Sequence, residues 1–529
     1  MKRAGWGRAL AASGRRKWRR AAGVSLGLGG GVALLMNSTA LPPLEGREVS
    51  HALLDTAETR LGRALAGAVA GHPGQSGIYP LLQARDAFAA RVLLARAAER
   101  TLDIQYYIWR DDLTGTLLFE ELHAAAERGV RVRLLLDDHP VTSLDETLAM
   151  LDAHPNVEVR LFNPYALRRP RWFNFLTSAL RLNRRMHNKS FIADSQVTII
   201  GGRNVGDEYF AAADGMLFAD LDVAAVGAVV PEVSRDFDRY WNSEAAYPVA
   251  RLVAPVEPAR LDELERTAAR ILESSEAAQY RRALRETHFY RDLIEGRLSY
   301  EWAPTRVVSD DPNKVFGRAP RRAHLGPQLR AILGDPETEL ALVSPYFVPG
   351  EAGVAAFTQM VARGVNVQIL TNSLEATDVA VVQSGYSRHR ASLLKGGVRL
   401  FELRREGSGA APSSGRWGSY GSSLHAKTFA VDRKRLFVGS FNFDPRSNLL
   451  NTELGFVIES PVLAARMSER FRENIPRRSY ELQLSVNDEP TWLERNNGEE
   501  LRHSVEPGTT WWQRAGLELL SWLPIEWLL

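Results

Sequence analysis

In the first third of the chain, short apolar runs alternate with longer segments whose apolar positions recur every three or four residues. Residues 101–109 alternate between polar and apolar side chains and contain β-branched and aromatic residues, which predicts a strand. Residues 116–127 have helical spacing, and residues 130–136 form an apolar run typical of a buried parallel strand. With a further helix and a strand ending at residue 162, this order predicts an α/β fold with a mixed, mostly parallel sheet flanked by helices.

The same order of elements returns in the second half of the chain. Residues 339–346 match the first strand, and the Arg-Gly-Val that ends the next helix occurs at both 128–130 and 363–365. An Arg-Leu-Phe follows in each half, at 160–162 and 399–401. A nearly constant separation of such elements indicates a tandem duplication. We therefore expect two tandem domains that face each other across a pseudo-two-fold axis.

One motif, His-x-Lys-x-x-x-x-Asp, occurs once in each half. Each copy is followed by a β-rich run and a glycine turn that ends in asparagine, and 17 positions separate histidine from asparagine in both. By residue frequencies alone, one such motif arises by chance in about one chain per hundred. Two copies with the same downstream turn therefore indicate a functional site. Its members are His187, Lys189, Asp194 and Asn204 in the first copy, and His425, Lys427, Asp432 and Asn442 in the second.

A histidine and a lysine two residues apart on a strand point to the same face of the sheet. Where the two copies meet, two imidazoles, two ammonium groups and two amides would surround one small volume. Lysine and asparagine donors can hold the non-bridging oxygens of a phosphodiester, and Ser440 is a further candidate to bind this phosphate. One imidazole can attack phosphorus to form a phosphohistidine, while the other serves as acid and then as base.

The nucleophilic imidazole has to be neutral and oriented, which a carboxylate on its second ring nitrogen secures. Glu453 and Asp220 occupy comparable places after the two asparagines and are the candidates for orienting the histidines. Within the catalytic motif, we expect Asp194 and Asp432 to support their loops rather than to act on substrate. Because the lysines supply the positive charge, no metal and no cofactor are expected.

These motifs resemble those of the phospholipase D superfamily, over residues 84–461. The stretches 201–209 and 439–447 are similar to those of bacterial cardiolipin synthases, most of all the C-type enzymes. The resemblance implies two phospholipase D-like domains and a phosphatidyltransferase that makes cardiolipin. It also implies that His187 is the nucleophile and His425 the acid and base.

The implied substrates are phospholipids, with phosphatidylglycerol as acceptor and phosphatidylethanolamine or a second phosphatidylglycerol as donor. One alternative is a phospholipase D-type hydrolase that delivers the intermediate to water. A nuclease of the same superfamily and an inactive membrane-binding scaffold are further alternatives. Gly202 departs from the family pattern, because it stands where the pattern has serine and so removes one hydroxyl donor.

Length and composition suit a globular protein of two or three domains, since the 529 residues are 45% hydrophobic and 24% charged. The chain has no cysteine, which excludes disulfides, thiol nucleophiles and thiolate metal sites. We predict phospholipase D-like domains at residues 46–256 and 311–490, joined by a helical connector at 257–310. The net charge of +3 favours neither the presence nor the absence of a nucleic-acid partner.

Both ends of the chain have sequences typical of segments that contact a membrane. Residues 1–45 place a basic cluster before an uncharged run, the order of an export signal or a membrane anchor. Residues 491–529 form a Trp-rich amphipathic tail that suits a lipid interface, the alternative being a helix docked on the protein itself. We expect a bacterial inner-membrane protein whose catalytic domains lie on the periplasmic side.

A loop predicted at residues 168–185 interleaves six arginines with aromatic and leucine side chains. This composition fits either a nucleic-acid backbone or an anionic bilayer. The apolar tail favours the bilayer. We therefore expect a membrane surface as partner and no nucleic acid.

Overall fold

The structure is a computed structural model, and the predicted leader lies almost wholly outside the residues it describes. These are residues 40–529 without 211–219, 257–259, 276, 378, 406–423, 497 and 523–529. Within them, no helix is both long and apolar enough to cross a membrane.

The first half of the chain forms an α/β domain. Its helices are α1 (Arg60–Ala70), α2 (Ala84–Ala97), α3 (Leu113–Glu127), α4 (Asp145–Asp152), α5 (Phe173–Leu182), α6 (Asp207–Phe210) and α7 (Val230–Trp241). Its strands are β1 (Ser76–Leu81), β2 (Thr101–Tyr106), β3 (Arg131–Asp137), β4 (Val157–Phe162), β5 (Ser190–Ala193), β6 (Val197–Gly201), β7 (Asp222–Gly227) and β8 (Ala246–Pro248).

The predicted connector is helical and then supplies one strand to each sheet. Its helices are α8 (Leu261–Glu273), α9 (Ala278–Glu286) and α10 (Phe289–Ile294). The strand β9 (Glu301–Ala303) pairs with β1 in the first sheet. After Pro304, β10 (Thr305–Ser309) pairs with β16 (Leu454–Ile458) in the second sheet.

The second half repeats the first. Its helices are α11 (Leu325–Leu333), α12 (Gly350–Ala362), α13 (Ala380–Ser387), α14 (Arg390–Lys395), α15 (Pro445–Leu449), α16 (Pro461–Glu473), α17 (Ile475–Arg478) and α18 (Trp511–Ser521). Its remaining strands are β11 (Glu339–Val343), β12 (Asn366–Asn372), β13 (Arg399–Leu403), β14 (Lys427–Val431), β15 (Arg435–Gly439), β17 (Ser479–Leu484), β18 (Pro490–Asn496) and β19 (Glu499–His503).

Both sheets are mixed, which confirms the α/β class with two repeated domains. In the described residues the strand orders are β8-β4-β3-β2-β5-β6-β7-β1-β9 and β10-β16-β15-β14-β11-β12-β13-β17-β18-β19. The expectation of mostly parallel pairing is wrong, because only β2-β3-β4 and β11-β12-β13 run parallel. The strand–helix alternation predicted these central strands correctly. The motif segments, however, fold as tight hairpins, and a short turn can join only antiparallel strands.

The two sheets share one apolar core. Ile192 and Ile200 from the first motif hairpin belong to the same buried cluster as Ala430 and Val438 from the second. Each remaining face is covered by its own helices, over two further buried clusters. Because burial of apolar surface is the main stabilising term in folding, the halves are held together as domains are held internally.

Two segments differ from their predicted form. The loop predicted at 168–185 contains helix α5, which has a kink at Ser178. The predicted tail begins with β18 and β19, which extend the second sheet, before α18 forms over its Trp-rich part. In α18, Leu517 is buried while Trp511 and Trp522 are exposed.

Candidate active site

Each motif begins just before a hairpin and turns at its aspartate. Asp194 and Asp432 have positive φ angles of 50° and 53° at the two hairpin turns. The Asp194 carboxylate accepts hydrogen bonds from the backbone N–H groups of residues 99–101. Asp432 accepts the corresponding bonds from residues 337–339. Both aspartates thus fix the end of the hairpin that lies away from the histidines.

The structure brings each histidine to a carboxylate of the other domain. His187 Nδ1 lies 2.8 Å from Glu453 Oε2, and His425 Nδ1 lies 2.6 Å from Asp220 Oδ2. The backbone N–H of His187 also donates to the carbonyl of Thr452. The two motifs therefore form one site, whose halves exchange their orienting groups across the domain interface.

The two carboxylates occupy equivalent places in the repeat. Asp220 precedes Leu221, whose carbonyl accepts from Gly202 N at 3.1 Å. Glu453 precedes Leu454, whose carbonyl accepts from the Ser440 backbone N–H at 2.9 Å. This equivalence, with the crossed histidine pairs, is the relation expected of two copies facing across a pseudo-two-fold axis.

Both lysines are buried beside their own histidines. Lys189 Nζ donates to the His187 carbonyl at 2.6 Å, and Lys427 Nζ donates to the His425 carbonyl. Burial lowers the pKa of Lys189 well below its usual value, and the nearby charge of Lys427 lowers it further. The two ammonium groups thus face one volume, where an anion would relieve their repulsion.

The asparagines after the hairpins are also buried. Asn204 Oδ1 accepts from the Ile108 backbone N–H at 3.2 Å, which directs its Nδ2 away from that strand end. Asn442 is 4% exposed at the equivalent turn. Ser440 is not aimed at this volume, because its hydroxyl donates to Glu453 Oε2 at 2.5 Å. It supports the carboxylate instead of presenting a free donor for phosphate.

The surroundings favour neutral imidazoles before substrate binds. Burial lowers the pKa of His187 well below its usual value, and the charges of Lys189, Lys427 and His425 add to this effect. Burial and Lys427 also lower the pKa of His425, although Asp220 opposes them.

The two carboxylates have opposite titration behaviour. Burial raises the pKa of Glu453 to about 7, against the opposing charge of Lys189. Burial also acts to raise the pKa of Asp220, but His425 and Lys427 outweigh it and hold the pKa below its usual value. Asp220 is therefore a fixed anion at neutral pH, whereas Glu453 titrates near neutral pH.

Two tyrosines that the sequence did not single out as site residues also line the site. Tyr107 lies edge-on to His187 with ring centroids 5.1 Å apart, and Tyr209 lies edge-on to His425 at 5.3 Å. Burial raises the pKa of Tyr107 to about 12, so its hydroxyl stays protonated. Both residues had a signal in the sequence, since Tyr107 follows β2 directly and Tyr209 ends the stretch 201–209.

Two further residues hold the carboxylates in place. Arg203 donates to the Asp220 carbonyl at 2.7 Å. Asp310 Oδ2 accepts from the Glu453 backbone N–H at 2.9 Å, and Lys314 pairs with Asp310 at 2.9 Å. Arg203 lies inside the glycine turn and could have been noticed there, whereas nothing near Asp310 in the sequence links it to the site.

The hydrogen-bond donors of this site are the ammonium groups of two lysines and the amides of two asparagines. Within the described part of the chain, no group of three or more histidine, aspartate or glutamate side chains has an arrangement that could hold a metal ion. Two lysines and two asparagines can instead contact the oxygens of a phosphate directly. The arrangement therefore suits displacement at a phosphodiester with one imidazole on each side.

Comparison with known proteins agrees with this geometry. A family model described as "Cardiolipin synthase, PLD-like domain" matches residues 93–241 and 329–475, one match in each half. Cardiolipin synthase C of Escherichia coli is 48% identical over 472 residues, which cover 89% of this chain and all of that protein. Cardiolipin synthase B of the same organism is 25% identical, covering 72% of this chain and 75% of that protein.

A solved structure, phosphatidylserine synthase of Haemophilus influenzae, has the same fold with a TM-score of 0.51 at 14% identity. It covers 80% of this chain and 92% of its own. The resemblance drawn from the motifs is confirmed: the chain belongs to the cardiolipin synthase family of phospholipase D-like phosphodiester transferases, in its C-type branch.

Proposed function

We propose that the protein is a phosphatidyltransferase that makes cardiolipin from phosphatidylglycerol and a phosphatidyl donor through a phosphohistidine. The observation that carries this proposal is the pair of crossed contacts, His187 with Glu453 and His425 with Asp220. They orient two imidazoles over one volume that also holds two buried lysines. Phosphoryl exchange needs this arrangement, with a nucleophile on one side of phosphorus and a proton donor on the other.

In the first step, His187 attacks the phosphorus of the donor lipid. Its Nδ1–H donates to Glu453, which leaves the lone pair of Nε2 free, and its low pKa keeps the ring neutral. The P–N bond forms as the P–O bond to the donor headgroup breaks. His425 gives its proton to the departing alkoxide, while Lys189 and Lys427 stabilise the charge on the non-bridging oxygens.

His425 has to be protonated for this step, although its pKa is lowered in the free protein. The bound phosphodiester brings a negative charge beside it, which raises the pKa of a neighbouring imidazole. The anionic Asp220 on its other nitrogen stabilises the imidazolium that results. Substrate binding thus supplies the protonation state that the first step requires.

In the second step, the neutral His425 accepts the proton of a phosphatidylglycerol hydroxyl. The oxygen attacks phosphorus, the P–N bond breaks, and His187 returns to its neutral form. The protons balance over the two steps. The donor is phosphatidylethanolamine or a second phosphatidylglycerol, which would release ethanolamine or glycerol. Attack by water instead would give phosphatidic acid.

The setting of this reaction is the bacterial inner membrane, with the catalytic domains on its periplasmic side. The basic and apolar order of residues 1–45 supports this orientation by the positive-inside rule. The relation to Escherichia coli cardiolipin synthase C supports a membrane-associated bacterial enzyme. Phospholipids and a bilayer surface are the partners, and no nucleic acid takes part.

The test is to incubate the full chain with phosphatidylglycerol vesicles, with and without phosphatidylethanolamine that carries isotope-labelled acyl chains. We expect cardiolipin by mass spectrometry, and label in cardiolipin identifies phosphatidylethanolamine as donor. His187→Ala should abolish the product. His51→Ala is the matched control, because the His51 side chain is 71% exposed and should be dispensable. Formation of phosphatidic acid without cardiolipin would mean that the enzyme is a hydrolase instead of a transferase. The absence of any new lipid would reject the proposal.

A further inference from the structure

Helix α5 differs from an ordinary surface helix, because it directs apolar side chains towards solvent. From Trp172, which directly precedes the helix, apolar residues recur at i, i+3 and i+4, the spacing that normally faces a protein core, and two more follow the kink at Ser178. Here that face is directed to solvent: Trp172 is 58% exposed, Phe175 41%, Leu176 61% and Leu180 84%, and Ala179 lies among them.

The polar side of the helix is the one that contacts the protein. Asn174 is fully buried and exchanges hydrogen bonds with the backbone of Leu167. Arg171 pairs with Asp138 and Asp145, and Arg181 donates to Asn163. The helix is thus attached through these polar groups and through the buried Leu182, while its other side stays exposed.

The arginines of this segment do not form a basic surface. Arg168 pairs with Asp138 and Asp145. Arg184 donates to the Lys314 carbonyl, and Arg185 is buried against Asp137. Arg169, three positions before Trp172, is the exposed arginine of this segment. An apolar surface with one rim cation fits the acyl and phosphate layers of a bilayer better than a polyanion.

The end of helix α5 lies near His187. Leu182, the last residue of the helix, stands five positions before His187, so their Cα atoms are at most about 17 Å apart. Arg446, in helix α15 after the second motif, donates to the Asn183 carbonyl at 2.7 Å and ties the end of the helix to the other half-site. A helix held at this distance can fix the height of the site above a lipid surface.

We propose that Trp172, Phe175, Leu176 and Leu180 form a docking face that inserts into the outer layer of a lipid bilayer beside the active site. This inference rests on the proposed function, because a lipid substrate is what makes a bilayer the occupant. The donor keeps its acyl chains in the bilayer while its phosphate reaches His187. Trp172, at the first end of the helix, is of the type that favours the headgroup level.

The direct test uses the absence of cysteine from the chain. Leu180→Cys introduces a single thiol that can carry an environment-sensitive fluorophore. On vesicles of phosphatidylglycerol and phosphatidylethanolamine we expect a blue shift and a rise in intensity of at least about twofold. A probe at Val486→Cys, in an exposed turn, should not change. The signal should persist in about 0.5 M salt, because screening weakens charge attraction but not apolar insertion. An unchanged Leu180→Cys probe would overturn the proposal.

A second experiment separates docking from chemistry. The variant Trp172→Ser/Phe175→Ser/Leu176→Ser/Leu180→Ser should lose at least about tenfold in vesicle binding and in turnover on vesicles. It should keep turnover on a monomeric short-chain phosphatidylglycerol within about threefold. Val462→Ser/Leu501→Ser removes exposed apolar side chains elsewhere and is the matched control.

The outcomes are distinguishable. Insertion of the Leu180→Cys probe by a protein that makes no cardiolipin would reject the proposed function and leave the docking face standing. Full vesicle binding by the fourfold variant would overturn the docking face. If light scattering found the unchanged protein to be a dimer and this variant a monomer, the face would instead be a contact between two copies of this chain.

Discussion

The two halves of the active site hold the carboxylates that orient their histidines in different ways. In the first half, Asp220 fits against Gly202, where a Cβ atom would come within 2.0 Å of its Oδ1. In the second half, the longer Glu453 leaves room for Ser440, whose hydroxyl donates to it. Gly202 departs from the family pattern because the orienting carboxylate beside it is Asp220, which leaves no room for a Cβ atom at position 202.

This difference gives the histidines different chemistry. His425 faces an aspartate whose charge is fixed, which stabilises an imidazolium, and its side chain is 18% exposed. His187 faces Glu453, whose pKa of about 7 leaves its charge dependent on pH near neutrality, and its side chain is 8% exposed. A neutral buried ring suits the nucleophile, and a more accessible ring with a fixed counter-charge suits the acid and base. If His187 is the nucleophile and His425 the acid and base, as we propose, the duplicated halves have diverged in role through their partners.

The sharpest way to break this comparison is to remove each histidine in turn. His187→Ala and His425→Ala should each lower turnover on natural lipids by about three or more orders of magnitude. A phosphatidyl ester of p-nitrophenol separates their roles, because this leaving group needs no proton. Rapid-mixing absorbance should show a burst of about one equivalent with His425→Ala and none with His187→Ala. The reverse result would exchange the two roles.

The lysines should behave alike where the histidines differ. Lys189→Met and Lys427→Met remove the charge but keep the stem, and each should lower turnover by about 10²- to 10³-fold, as loss of one oxyanion donor does. Steady-state kinetics on mixed vesicles measures this. Lys434→Met, on an exposed turn, serves as control and should retain activity. A loss below about fivefold at either buried lysine would contradict their place on the phosphate.

Exchanging the residues at Gly202 and Ser440 tests whether the halves are truly different. Gly202→Ser should lower turnover by about 10- to 100-fold, because its Cβ displaces Asp220 from His425. Gly67→Ser is its control, since nothing lies within 4 Å of that position.

Ser440→Gly should lower turnover by about five- to twentyfold. Loss of its hydrogen bond favours the protonated form of Glu453 and raises the pKa of that carboxyl. The acid limb of the pH–rate profile should therefore move to higher pH, by about half to one pH unit. An acid limb that stays in place would mean that another group sets it, and a basic limb that moves to higher pH would mean that Glu453 acts protonated.

The smallest effect on chemistry is expected at the motif aspartates. Asp194→Ala leaves three backbone N–H groups without their acceptor and should lower the free energy of unfolding by about 3 kcal/mol. Turnover per folded molecule should change little, which active-site titration beside thermal denaturation can show. A loss of turnover at unchanged stability would instead place Asp194 in the chemistry.

Asp432 adds a pH test of the same idea. Burial acts to raise its pKa, but the N–H groups of residues 337–339 hold the pKa below its usual value. Its contribution to stability is therefore complete above about pH 3.9, the value in the unfolded chain, and is lost as pH falls through the folded pKa. In Asp432→Asn this part of the acid dependence of the denaturation midpoint should disappear.

Much of the fold could be predicted because the elements around the site have clear periodicity. The strand at 157–162 has the predicted bounds, and helix α3 ends at Glu127 as predicted. The antiparallel majority could not be read from the order of strands and helices, because pairing direction depends on the turns and on partners distant in sequence. The helix at α5 was missed because its apolar stripe lies among arginines, which obscured the helical period.

The catalytic groups could be predicted because the duplication marks them by position. Glu453 and Asp220 followed from their places after the two asparagines, and the structure puts both on the histidines. The task of Ser440 could not be deduced, since a hydroxyl beside a phosphate site can serve the phosphate or the carboxylate. Asp310 acts through a backbone N–H, which leaves no pattern in the sequence.

The connector has a consequence for how lipids exchange at the site. Only Pro304 separates β9, paired with the first sheet over three residues, from β10, paired with the second over five. A hinge motion that parted the domains would have to peel a strand off one sheet. The two halves therefore keep one fixed arrangement, and we expect the lipids of the proposed reaction to exchange at the site without an opening of the domains.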